Sequence, residues 1–107
     1  KIPGITVPFV APSNLHVYHQ YILLVDRKLR DGLIEFLAKK GIESRIYYPI
    51  PLHLQSCYEF LGYKNGAFPN SEKAALGTLA LPVYPELKDA DRRAIVSAIE
   101  EFYKINK

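Results

Sequence analysis

His16 and His19 stand three residues apart, flanked by Tyr18 and Tyr21, a spacing that invites a metal reading. Side chains alternate along a strand, however, so positions 16 and 19 point to opposite faces. His53 is the only other imidazole and no carboxylate pair stands near it, so the sequence supports no metal site. One of the pair is expected to be buried and hydrogen-bonded while the other lines a surface. Cys57 beside a histidine would suggest a thiol nucleophile, but a lone cysteine on the apolar side of a short helix is ordinarily packing. Glu100 and Glu101 suit a solvated helix, and Asp89 and Asp91 a helix start. Neither common glycine-rich phosphate loop occurs, and there is no G-x-S-x-G elbow. The motifs therefore assemble no catalytic constellation.

The richest segment is Arg45-Ile-Tyr-Tyr-Pro-Ile-Pro-Leu-His53-Leu-Gln. It sets an arginine, two tyrosines, a histidine and a glutamine around two prolines. The prolines stiffen the loop, so its polar tips are held at little further entropic cost on binding. Arg45, Tyr47, Tyr48 and His53 at a strand end suit a polar, ring-shaped or anionic ligand. A rigid structural corner whose tyrosines cap the core fits the same residues.

The elements that must position these groups follow from pattern. Residues 1–15 read as a lead-in punctuated by Pro3, Gly4, Pro8 and Pro12, and such a start suggests a domain cut from something longer. His16–Val25 is β-branched and aromatic, which predicts a strand. Leu29, Leu33, Phe36 and Leu37 share a helical face, predicting a helix over about 29–40 that Gly41 stops. Ile42–Tyr47 alternates as a half-buried strand before Pro49 and Pro51 end it. A short helix is expected over 54–61, with Leu54, Cys57, Tyr58 and Leu61 on one side. Pro69 opens a third helix to about Thr78, with Glu72 near its positive end. Leu79–Tyr84 is a short edge strand, and Asp89 caps a last helix to about Ile105. The order β-α-β-α-α-β-α gives an α+β domain, with a small sheet covered by helices on one face. The other sheet face carries many tyrosines.

Composition narrows the class. With 107 residues, 49% of them hydrophobic, the chain is long enough for one domain with a core. The formal charge is +3, but the basic residues are scattered and interleaved with acids, unlike the Lys/Arg stripe of a nucleic-acid reader. No run approaches the ~18 apolar residues of a membrane span. Lys1–Val10 shows no signal-peptide pattern. A single cysteine excludes an intrachain disulfide framework and points to a cytoplasmic protein.

Six pieces recur in an order that is recognisable: His16-x-Tyr18-His19-x-Tyr21, Gly41-Ile42, Tyr48-Pro-Ile-Pro-Leu-His53-Leu-Gln, Leu61-Gly-Tyr63, Phe68-Pro-x-x-Glu72-x-Ala74-Ala75, and Leu79-Ala-Leu-Pro-Val-Tyr-Pro-Glu-Leu87. Together they resemble the DegT/DnrJ-type nucleotide-sugar aminotransferases over residues 10–103. The resemblance implies pyridoxal-phosphate enzymes of the aspartate-aminotransferase fold, with residues 16–107 similar to their C-terminal small domain and its mostly antiparallel sheet. It implies transfer of an amino group, from glutamate or glutamine, to a keto sugar on a nucleotide carrier. It also implies a homodimer with active sites at the subunit interface.

In that family the Schiff-base lysine, the acid beside the pyridine nitrogen and the phosphate cup belong to a preceding large domain. The 107 residues alone are therefore expected to bind no cofactor and to lack transaminase activity. Tyr47, Tyr48 and His53 would lie nearest the sugar pocket, with Arg45 and His19 as further substrate contacts. Many members have His-Tyr-Pro where this chain has Tyr47-Tyr48-Pro49. That replacement removes a group able to charge near neutral pH, so contact rather than proton transfer is assigned to Tyr47. The competing reading is a free-standing α+β module for RNA or a small ligand, or an oligomerisation domain, without catalysis.

Overall fold

The computed structural model describes residues 2–106. Its centre is a two-stranded antiparallel sheet, β1 (Tyr21–Leu24) and β2 (Thr78–Leu81), in the register Tyr21↔Leu81 and Leu23↔Leu79. Thr6 bridges the outer side of β1 and Arg45 the outer side of β2, each through a pair of backbone hydrogen bonds. Four antiparallel segments thus lie side by side, of which only the central two form a ladder.

Helix α1 (Arg27–Lys39) starts where the Asp26 carboxylate accepts from the Lys28 amide at 2.8 Å, a side-chain cap. Its stop is a Schellman turn. Gly41, at φ +73°, donates to Ala38, and the Ile42 amide reaches back to Leu37, each at 2.9 Å. Helix α2 (Pro69–Gly77) runs straight into β2. Helix α3 (Asp89–Ile105) begins one residue earlier than predicted, with Lys88 at the cap position and Asp89 and Asp91 in the first turn against the positive dipole end.

Leu23 and Val25, Leu33 and Leu37 from α1, Leu79 from β2, and Ile95, Ala98, Ile99 and Phe102 from α3 form the buried cluster. Leu33, Leu37 and Leu79 have no exposed surface. The two helices therefore cover one face of the sheet. Arg30 ties α1 to α2 by donating to the Ala75 carbonyl at 2.7 Å.

Three predicted elements change. The strand over 16–25 shrinks to 21–24 because the Tyr18 amide donates to His16 Nδ1 at 2.9 Å and Tyr18 takes φ +47°, a local turn that competes with the sheet. Ile42–Tyr47 keeps its alternation, with Ile42, Ser44 and Ile46 half-buried and Glu43, Arg45 and Tyr47 outward, but pairs only at Arg45. The helix over 54–61 is two 3₁₀ turns, Leu52–Leu54 and Ser56–Leu61, broken at the extended Gln55. Its expected apolar side meets no core, and Cys57 is exposed rather than packed.

Gly77 marks the tightest backbone contact. A Cβ there would sit 2.9 Å from the Val25 carbonyl oxygen and 3.0 Å from Leu24 Cδ1, while the Gly77 carbonyl accepts from the Val25 amide. Gly77→Ala forces the α2–β2 junction away from β1, so equilibrium unfolding should show a loss of about 1–3 kcal/mol. Unchanged stability would contradict this packing.

Candidate functional site

The α1 stop sets the first half of the site. Gly41 turns the chain back beside β2, and the alternation that buries Ile42 and Ile46 leaves Glu43, Arg45 and Tyr47 facing out. Here His19, Arg45 and Tyr47 meet in an open cleft of about 340 Å³, walled by Ser44 and Tyr84. The Arg45 guanidinium is two-thirds exposed and pairs with the Glu43 carboxylate. The Ser44 hydroxyl oxygen is buried without a hydrogen-bond partner. The cleft thus offers an Arg45–Glu43 ion pair, an imidazole and two phenols, which suits a hydroxyl-rich ligand better than an apolar one.

Tyr48 lies outside that cleft, two-thirds exposed, with its ring edge-on to Tyr47 at 6.4 Å. His53 is elsewhere again. Its side chain is 8% exposed, Nε2 stands 3.0 Å from the Glu72 carboxylate, and its ring meets Phe68 at 4.8 Å. Of the five residues expected to touch a ligand, the structure brings His19, Arg45 and Tyr47 together and directs His53 inward. The Tyr47–Tyr48 peptide is cis.

Sequence reasoning gave Glu72 only a helix-dipole role. In the structure it accepts from the Gly66 amide on both oxygens, at 2.8 and 2.9 Å, and from the Phe68 amide at 3.3 Å, besides His53. Burial raises its pKa, but the Gly66 and Phe68 amides and the His53 hydrogen bond outweigh that and leave it below the ordinary value. The signal was present in the sequence: a glutamate four residues after Phe68-Pro69 can reach back over the helix start, as in a capping box.

A larger groove, about 900 Å³, runs between α3 and the Lys40–Glu43 turn and holds none of the five residues. Among the described residues no three of His, Cys, Asp or Glu gather as metal ligands, and no helix is long and apolar enough to cross a membrane.

The model of the DegT/DnrJ/EryC1/StrS aminotransferase family matches residues 1–100. A pleiotropic regulatory protein of Geobacillus stearothermophilus is 43% identical over 100 residues, covering 94% of this chain and 26% of that protein. The dTDP-3-amino-3,4,6-trideoxy-alpha-D-glucose transaminase of Streptomyces venezuelae is 32% identical, covering 94% of this chain and 26% of that protein. The crystal structure of S. venezuelae DesV in complex with a ketimine intermediate superposes with a TM-score of 0.89 at 31% identity, over 96% of this chain and 27% of that one. The chain thus spans about a quarter of the length of the curated relatives it matches.

A depressed Glu72 pKa means that ionised Glu72 is better held in the folded chain than in the unfolded one. Its contribution is complete above the ordinary carboxylate range and is lost as pH falls through the folded, lower value. Amide exchange at Gly66 and Phe68 should therefore lose protection on acidification before the core amides of α1 and α3 do. Simultaneous loss at all these amides would contradict a separate Glu72 contribution.

Proposed function

The chain belongs to the DegT/DnrJ/EryC1/StrS aminotransferase family, and from that membership we propose that it is the C-terminal small domain of a pyridoxal-phosphate-dependent sugar aminotransferase. The substrate class proposed is a keto sugar carried on a nucleotide, with glutamate or glutamine as amino donor and a homodimer as the working form. The observation that carries the reading is the near-complete superposition on DesV combined with a polar cleft at the segment that family likeness marks for substrate.

The residues present do not fit the cofactor. Among the described residues no lysine lines the cleft of His19, Arg45 and Tyr47, and each lysine is exposed. Pyridoxal phosphate needs an amine held against a shielded ring, an acid for its nitrogen and a cup for its phosphate. The part of the reaction that falls to this chain is recognition. Arg45 supplies a positive charge, Tyr47 and Tyr84 supply hydroxyls and flat apolar faces, and His19 lines the same cleft. Tyr47 stands where many family members have a histidine, and substrate contact rather than proton transfer is the role assigned to it.

Two assays test this. In the full-length protein supplied with cofactor, glutamate and a nucleotide-linked keto sugar, amination is expected. Arg45→Ala should raise KM roughly 10-fold or more with a smaller change in kcat, as loss of a charged hydrogen bond predicts. The 107-residue chain alone should show no turnover; turnover by it, or an Arg45→Ala enzyme with wild-type KM, would overturn the corresponding assignment.

A further inference from the structure

From Ala38 to Ala74 no residue is buried. Of its large apolar side chains, Ile50, Leu52, Phe60 and Leu61 are more than half exposed, while Ile42 packs against the core and Ile46 is half-buried. Ile42, Ile46 and the Arg45 backbone pair with Ala80 hold the chain before Tyr47, but beyond Tyr48 apolar burial holds little of it. Beyond Tyr48 the chain's longest-range side-chain contact, from His53, ends on one carboxylate. Glu72, 16% exposed at its side chain, receives His53 from the first 3₁₀ turn and the amides of Gly66 and Phe68 from the approach to α2. Gly66 sits at φ +92°, a conformation that lets its amide face both carboxylate oxygens. Phe68 stacks its ring edge against His53 and meets Tyr63 at 5.0 Å, which covers the junction on one side.

Between His53 and Tyr48 the chain is Pro49-Ile50-Pro51-Leu52. Each proline fixes its own φ and restricts the residue before it. Gln55 adds a hydrogen bond back to the Ile50 carbonyl at 3.2 Å. A constraint applied at His53 is therefore transmitted along a stiff connection.

We propose that Glu72 is a positioning residue for the Tyr47–Tyr48 segment: it anchors His53 and the Gly66–Phe68 turn on α2, and the proline-stiffened run carries that constraint to the cleft. The functional half of this rests on the reading of Tyr47 as a substrate contact. The structural half stands on the hydrogen bonds alone.

The test has two arms. In NMR spectra of the 107-residue chain, the Gly66 and Phe68 amide protons should titrate together with the Glu72 carboxyl, below the ordinary glutamate range. Glu72→Gln should abolish that titration, lower their exchange protection at least ~10-fold, and shift the ring signals of Tyr47 and Tyr48, while the core amides of α1 and α3 keep theirs. His53→Ala, which leaves the Gly66 and Phe68 bonds in place, should shift the same two tyrosines and spare the two amides. It decides the point even where Glu72→Gln fails to fold. Tyrosine signals unmoved in His53→Ala overturn the proposal.

In the full-length protein, Glu72→Gln should raise KM for the nucleotide-linked keto sugar about 10-fold with kcat within about twofold. A wild-type protein that aminates no sugar refutes the functional reading and leaves the first arm to decide the anchoring. An active Glu72→Gln enzyme with unchanged KM refutes the positioning role alone.

Discussion

The antiparallel pairing of Leu23 with Leu79 is the constraint on which the other elements depend. It joins positions far apart in the chain and presents both leucines to the same face, where α1 and α3 close over them. Leu33 and Leu37 have no exposed surface only because this face is complete, and Ile99 and Phe102 reach it from α3. Removing any one of these large side chains would cost about 2–5 kcal/mol, a large share of the total stability of a domain this size. The strand pairing is short, and it is the helices that make it durable.

The half of the chain that carries the polar cleft is held by different means. Its backbone touches the sheet once, at Arg45, and from Ala38 to Ala74 no residue is fully buried, with Ile42 alone packing against the core cluster. What fixes it are a left-handed glycine, two prolines and a carboxylate that collects three donors. Such a hold is strong in geometry and modest in energy, since each of these hydrogen bonds replaces one made to water. Rigid core and lightly tethered loop meet at Ile42, whose amide completes the α1 stop and whose side chain packs against the core.

This division explains which parts of the structure could be read from the sequence. The helix faces of Leu33 and Leu37 and of Ile95, Ile99 and Phe102 repeat with helical period, and the core is built from them. Gly41 as a stop follows from the same logic. His16–Gln20 failed because β-forming composition there is overridden by a histidine that accepts from a backbone amide two residues on, a contact no periodicity records. The 54–61 segment failed because apolar residues at helical spacing describe a face only where something covers it; here they stand exposed on two 3₁₀ turns. In the candidate site, the nearness of His19 to Arg45 and Tyr47 required knowing that β2 lies between their segments. The inward turn of His53 required knowing where Glu72 would be.

The exposure of Arg45 bears on how the cleft would work. With Glu43 as its partner and two-thirds of its side chain in water, the guanidinium gains little from any single anion, because unit charges 4 Å apart in water attract by only about 1 kcal/mol. Excluding water lowers the effective dielectric and strengthens the same attraction severalfold. An open cleft of this composition is therefore a poor receptor by itself and a good one wall of a closed receptor. The sheet edge places the cation, through the Arg45 bridge to Ala80, and leaves the cleft open to water. On the proposed reading the domain that holds the cofactor also covers this cleft, so ligand recognition by Arg45 and enclosure of the reacting sugar would occur in the same closing step.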